Sequence, residues 1–197
     1  MAESALEKNK DNDVPVEKKL DDLYKLVDGM EVAMFTTRRT DGYLVSRPMQ
    51  MQERTAGTDM WFMTNWESNK LEELATDPHV NLGFYDSKSR EWVSVSGTAV
   101  ISQDRNLIAG LYKPDWKAWL GDQGGARDGG PGDPRIALVL ITAHSVTYSK
   151  QDRPTPLVLF NIVKGMITGE PPKVSDLREL SERELRQAMQ GGKTAAR

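Results

Sequence analysis

The stretch WFMTNWESNK, residues 61 to 70, ends three large apolar residues in hydroxyls, amides and one cation. Thr64, Ser68, Asn69 and Lys70 are the residue types that hold an oxyanion, short donors beside an ammonium. The pattern predicts a helix beginning near Glu67. The unpaired N–H groups of its first turn, and the favourable end of its dipole, would then face the same anion. Arg47, on the neighbouring predicted strand, adds a planar fork suited to a phosphate or to a heteroaromatic carbonyl. A local reading competes with this one: Thr64 or Asn65 caps the helix, and Lys70 is a solvated surface charge. No nucleophile–base pair and no acid–base pair of carboxylates stands out, so no residue is assigned a catalytic role. With only His79 and His144, and no cysteine, no metal site is expected. His79 reads as a turn residue and His144 as structural or surface.

These side chains need a frame. Apolar residues at 16, 20, 23, 26 and 27 have helical spacing, with Gly29 placed to stop the helix. EVAMFTTR and YLVSRPMQMQ read as two strands joined by a TDG turn at 40 to 42, where glycine takes the positive φ. Pro48 marks the second as an edge or bulged strand, because proline cannot donate to the ladder. DMWFMT is a third strand. ESNKLEELATD follows as a short helix, with Leu71, Leu74 and Ala75 expected on its buried face. HVNLGFYD and EWVSVSGTAVIS are further strands, DRNLIAGLY a helix, and RIALVLITAHSVTYS one long strand or two. PLVLFNIVKGMITGE reads as a helix. Residues 113 to 134 hold six glycines and three prolines, which predicts a long loop carrying Trp116 and Trp119. Few short helices beside about six strands predict a mainly β domain, an antiparallel barrel with peripheral helices. Residues 1–13 are expected to be disordered, 14–170 to form the domain, and 171–197 to be a polar, partly helical tail.

The chain has 197 residues, 38% hydrophobic and 28% charged, with a net charge of −3. That charge argues against nucleic acid as a partner. No apolar run approaches the ~20 residues that span a bilayer, and the start MAESALEKNKDND is not a signal peptide. The absence of cysteine excludes disulfides and thiolate catalysis, and fits a cytoplasmic protein.

The ordered set VSRPMQM, WFMTNWESNKLEEL, VNLGFYD, VSVSGTA and GDPRIALVLI resembles the FMN-binding split barrels related to pyridoxamine-phosphate oxidase. It is most similar to their general-stress-protein branch, which includes fungal blue-light-induced proteins, over about residues 16 to 170. The resemblance implies a six-stranded antiparallel split barrel and a homodimer with one FMN in each of two clefts between subunits. It implies that Arg47, Pro48 and Met49, with Ser46 before them, line the flavin ring and ribityl chain. Met63 and Thr64 would present main chain and hydroxyl, and Ser68, Asn69 and Lys70 would surround the phosphate. Trp116 would then wall the flavin face, or else anchor its loop, and Trp119 has the same two readings. Departures bear on activity. Gln52 stands where the oxidases carry a lysine, Trp92 where they carry a glutamine, and NLIAGLYKPDW lacks their second phosphate cluster. The resemblance therefore implies a flavin-dependent oxidoreductase of unidentified substrate, with NAD(P)H as a possible reductant. The alternatives are a flavin-storing or sensing module without turnover and, more weakly, a pyridoxamine-phosphate oxidase. A deazaflavin could replace FMN.

Overall fold

The computed structural model describes residues 4–54, 59–151 and 155–187. Its strands are β1 (Val32–Arg38), β2 (Leu44–Gln50), β3 (Met60–Asn65), β4 (His79–Tyr85), β5 (Trp92–Ser102), β6 (Ile136–Lys150) and β7 (Asp176–Ser181). Its helices are α1 (Ala5–Asn9), α2 (Val16–Met30), α3 (Asn69–Thr76), α4 (Arg105–Leu111), α5 (Trp116–Leu120) and α6 (Thr155–Thr168). The sheet order is β2-β1-β4-β5-β6-β3, with β7 added alongside β6. The β1–β2, β3–β6 and β6–β7 pairs are antiparallel. The mainly β reading therefore stands. The chain divides into two compact units: Glu31–Asn81 with Ser96–Ala143, and Met1–Met30 with Leu82–Val95 and His144–Arg197.

The first of these units contains every candidate site residue. Its β1–β2 hairpin turns through residues 39–43, where the Arg39 N–H donates to the Tyr43 carbonyl at 2.8 Å and Gly42 takes φ +90°. Pro48 lies on the terminal strand β2 opposite Met34, where its missing N–H costs no ladder bond. Gly97 has a different reason to be glycine. A Cβ there would collide with the Thr142 carbonyl oxygen, so only glycine lets β5 approach β6 so closely. The core of this unit gathers Trp61, Ile108, Trp116, Leu120, Ile136 and Leu138.

The expected loop at 113–134 is more ordered than its composition suggests. It contains α5, and its remainder is tied to a buried ion pair. Asp133 and Arg135 are 0% and 2% exposed. Arg135 donates from Nε and Nη2 to the Asp133 carboxylate at 3.0 and 2.7 Å. It also reaches the carbonyls of Leu120, Gly121 and Arg127 at 2.6, 2.8 and 2.9 Å. The Gly129 N–H donates to Asp133 Oδ2 at 2.8 Å. One guanidinium thus ties together residues 120–121, 127 and 133 of a glycine-rich segment. The hydrogen bonds from Arg135 outweigh desolvation and hold the Asp133 carboxyl well below the usual carboxylate range.

The other unit corrects the expectations for both ends of the chain. Residues 5–9 form α1, and Lys10 bridges to Leu177 in parallel. Asn9 Oδ1 accepts from the Val174 and Ser175 N–H groups at 2.8 and 3.0 Å. The segment expected as a polar tail supplies β7, whose Arg178 donates to Asp11 Oδ2 from Nε and Nη2 at 3.0 and 2.8 Å. Arg178 also pairs with Asp22 of α2, which accepts from Lys150 at 2.9 Å as well. These polar ends order each other through hydrogen bonds and ion pairs, which leave no hydrophobic period to read. Residues 1–3 and 188–197 lie outside the described residues. Helix α2 runs one residue past Gly29, and the left-handed residue after it is Glu31, at φ 59°.

Asp133→Asn leaves the Arg135 charge buried without its counterion, and is expected to lower unfolding free energy by about 3–5 kcal/mol, measured by urea denaturation at neutral pH. Because the folded carboxyl is depressed, its contribution is complete above the ordinary value of 3.8 and fades as pH falls toward the lower folded value. The wild-type and Asp133→Asn stabilities should therefore converge in acid.

Candidate functional site

Strand periodicity divides the candidates by face. On β2, Arg47 and Met49 are half-buried, whereas Ser46 and Pro48 point to the exposed side. On β3, Thr64 is buried on one face, while the adjacent Met63 packs on the other, against the tryptophan cluster. The structure therefore gathers Arg47, Thr64, Ser68 and Lys70, and it sets Ser46, Pro48 and Met63 on other faces. Ser46 Oγ lies 2.7 Å from Thr36 Oγ1 on the exposed side of the hairpin. Asn69 opens α3 and is exposed.

Two short networks build the site. In the first, the Lys70 ammonium donates to Thr64 Oγ1 at 2.6 Å, and Ser68 Oγ lies 3.4 Å from the same hydroxyl. Ser68 is the N-cap of α3, yet its side chain makes no capping bond to the helix. Asn65 uses its Oδ1 on the Glu67 N–H at 2.8 Å, in the turn before the helix. The helix thus begins two residues later than expected, and its first amides receive no cap from Ser68. Lys70 is not a solvated charge: burial lowers its ammonium below the ordinary lysine value, and the nearby Arg47 charge lowers it further. Among the described residues it forms no salt bridge with a carboxylate.

The second network escaped sequence reasoning. Arg47 donates from Nη1 to Thr37 Oγ1 at 2.8 Å and from Nη2 to Glu73 Oε1 at 2.6 Å. The Thr37 hydroxyl donates in turn to Glu73 Oε2 at 2.5 Å. Thr37 and Glu73 are 1% and 6% exposed. Burial raises the Glu73 carboxyl, but hydrogen bonds from Arg47 and Thr37 overcome this and hold it below the usual range. At 100° per residue Glu73 lies more than half a turn from Leu71, so one amphipathic stripe cannot include both. Instead Leu71, Glu73 and Leu74 are all buried, and Ala75, expected on the inner face, is exposed. The one available signal was Arg47 itself, a half-buried cation that needs a partner.

Of the two readings of Trp116, its burial agrees with the anchor. At 1% exposure its ring fills the core rather than forming a wall. It packs edge-on against Trp61 and Tyr112, with centroids 6.2 and 5.6 Å apart, and its Nε1 donates to Gln52 Oε1 at 3.3 Å. Trp119, on the same short helix, is 78% exposed. The glycine-rich segment also reaches the site's entrance, where Arg127 Nη2 donates to Glu67 Oε1 and Oε2 at 2.8 and 2.9 Å. Among the described residues, no three histidine, aspartate or glutamate side chains gather as a metal site, and no helix is long and apolar enough to cross a membrane.

The arrangement can bind an oxyanion. It offers one uncompensated ammonium, one hydroxyl not used as a cap, the first amides of α3 and a fixed guanidinium. Its buried carboxylate, Glu73, is already ion-paired with Arg47.

Comparison with known proteins agrees with this frame. Residues 18–173 match the model of a family described as pyridoxamine 5'-phosphate oxidase like. The chain is 39% identical over 180 residues to Protein bli-3 of Neurospora crassa, covering 90% of this chain and 86% of that one. Its fold is similar to that of a putative general stress protein 26 from Jannaschia, with TM-score 0.59 and 22% identity over 82% of this chain and 99% of the other. It is similar too to a general stress FMN/FAD binding protein from Xanthomonas citri, with TM-score 0.52 and 23% identity over 64% and 84% of the two chains. Both likenesses are of fold.

Thr37→Val removes the hydroxyl that links Arg47 to Glu73 and leaves each short of a partner. It is expected to cost about 1–3 kcal/mol of stability, measured by urea denaturation, whereas Thr36→Val, on the outer face, should cost under about 0.5 kcal/mol.

Proposed function

The chain belongs to the pyridoxamine 5'-phosphate oxidase-like family, and on that premise we propose that it binds FMN, with the cofactor's phosphate at Lys70. The observation that carries this reading is the partly buried Lys70 ammonium, held by Thr64 beside the uncapped start of α3 and free of any carboxylate salt bridge among the described residues. A phosphate monoester carries about two negative charges near neutral pH and matches this donor set. Ser68, Asn69 and Lys70 would hold the phosphate, with Thr64 fixing the ammonium. Arg47 and Met49 would face the ribityl chain and ring. Ser46, Pro48 and Met63 lie on other faces of their strands, so their contribution would come through main chain or through a partner subunit. Trp116 would support the site from within the core.

Bound flavin supplies hydride or electron transfer. The chain's own residues bind and orient, and Arg47, fixed by Glu73 and Thr37, presents a guanidinium to an electron-rich edge. The most concrete activity is an FMN-dependent oxidoreductase in a general-stress role, with a nicotinamide cofactor as reductant. The site's one buried carboxylate is ion-paired with Arg47, which favours a second reading, an FMN-binding module without turnover. Pyridoxamine-phosphate oxidation is weaker. Gln52 replaces the lysine expected of that activity, and its carbonyl is engaged by Trp116.

A homodimer is supported by the exposed outer face of the β1–β2 hairpin. Val32 and Met34 are 46% exposed and Leu44 68%, beside the exposed Pro48 on the terminal strand. Val32, Met34 and Pro48 share that face, with Leu44 beyond the Thr36–Ser46 pair, and exposed apolar side chains so placed are a usual mark of an interface. Light scattering should give twice the chain's mass, and Met34→Asp is expected to give monomers that bind FMN more weakly.

Three readings test the cofactor assignment. The purified protein should be yellow, with a flavin spectrum. Lys70→Ala is expected to weaken FMN binding by about 1.5–3 kcal/mol, measured by quenching of flavin fluorescence, and a loss below about threefold would contradict the phosphate assignment. Reduction by NADH or NADPH, followed by reoxidation with varied acceptors, separates the enzyme from the module.

A further inference from the structure

We propose that Glu73 is a positioning residue of the anion site, orienting Arg47 and reducing the site's charge so that a bare phosphate is held weakly. The inference rests on the reading of the Lys70 pocket as a phosphate site and extends it to a residue outside the family resemblance described above.

Two features of Glu73 carry it. The first is geometric. Both carboxylate oxygens are committed inward, Oε1 to Arg47 at 2.6 Å and Oε2 to Thr37 at 2.5 Å, and Thr37 itself accepts from Arg47 at 2.8 Å. A guanidinium has five N–H donors. Two are spent on this triad, so three remain, in a plane fixed by two buried partners. Arg47 is therefore presented to a ligand in one orientation.

The second feature is charge. Arg47 and Lys70 are close enough for each to be felt by the other, and Glu73 opposes both. The three groups together carry one net positive charge, where Arg47 and Lys70 alone would carry two. A cationic cleft with low-dielectric walls attracts every small anion in solution. Cellular phosphate would then compete with any phosphate carried on a larger molecule. A buried carboxylate beside the arginine weakens attraction for the phosphoryl group alone and leaves untouched the contacts that a larger ligand makes elsewhere. The bare anion, which has no other contact to make, is then held weakly in absolute terms, whereas a larger ligand still gains from its remaining contacts. Such a cost makes sense at a site whose ligand has a large non-phosphate part.

Glu73→Gln separates charge from shape. The amide is nearly isosteric, and its carbonyl can still accept from Arg47, but the negative charge is gone. Thr37→Val is the complement, since it breaks the same triad and leaves the charge. The probe is inorganic phosphate, titrated against the thermal unfolding of the wild-type chain and the two variants. The expected result is that Glu73→Gln reaches half-maximal phosphate stabilisation at a concentration at least fivefold lower than the wild type, with no such gain in Thr37→Val. A smaller change in the phosphate midpoint, or an equal gain in Thr37→Val, would overturn the proposal. If the unaltered chain fails to bind FMN, the flavin reading falls, and the phosphate titration still decides the role of Glu73.

Discussion

Withdrawing an ammonium from water beside a guanidinium is unfavourable unless something anionic completes the arrangement. Lys70 is in that position. Its hydrogen bond goes to a hydroxyl, the Arg47 charge acts against it, and the buried carboxylate that acts for it is already committed to Arg47. A chain that needed only a capped helix would gain nothing from this. An incoming phosphoryl group would satisfy Lys70, the Ser68 hydroxyl and the first amides of α3 together, and the rest of this unit can be understood as the frame that holds them in place.

That frame depends on strands carrying different cargo on their two faces. Strand β3 sends Trp61 into the tryptophan cluster and Thr64 toward Lys70, so one segment serves the core and the site. Strand β2 turns Arg47 inward and leaves Pro48 on the outer, apolar side of the hairpin. Arg135 binds the glycine-rich segment to the same unit through three carbonyls and a carboxylate. The exposed Arg127–Glu67 pair adds little energy of its own, but it places that segment beside the turn that precedes α3.

Much of this was legible in the residues, because hydrophobic alternation, a glycine turn and an edge proline are local signals. The β1–β2 hairpin, the long strand β6 and helix α6 announced themselves through such local signals. What remained hidden was polar and non-local. Glu73 sits on the wrong side of a helical stripe, yet it is buried because the helix is covered from more than one direction. Trp116 and Trp119 are equivalent in spacing, but the structure buries the first and exposes the second. The two ends of the chain carry few apolar residues, so nothing in their composition revealed that Asp11 and Asp22 would each bind Arg178 across more than 150 positions of sequence.

The phosphate claim is tested most directly by titrating the protein with FMN and with riboflavin, which share the ring and ribityl chain and differ only in the phosphate. If Lys70 and the start of α3 hold that group, FMN should bind at least tenfold more tightly, a difference of about 1.4 kcal/mol or more. Equal affinities would contradict the account, because the site would then recognise the ring alone and the partly buried ammonium would have no anion to complete it.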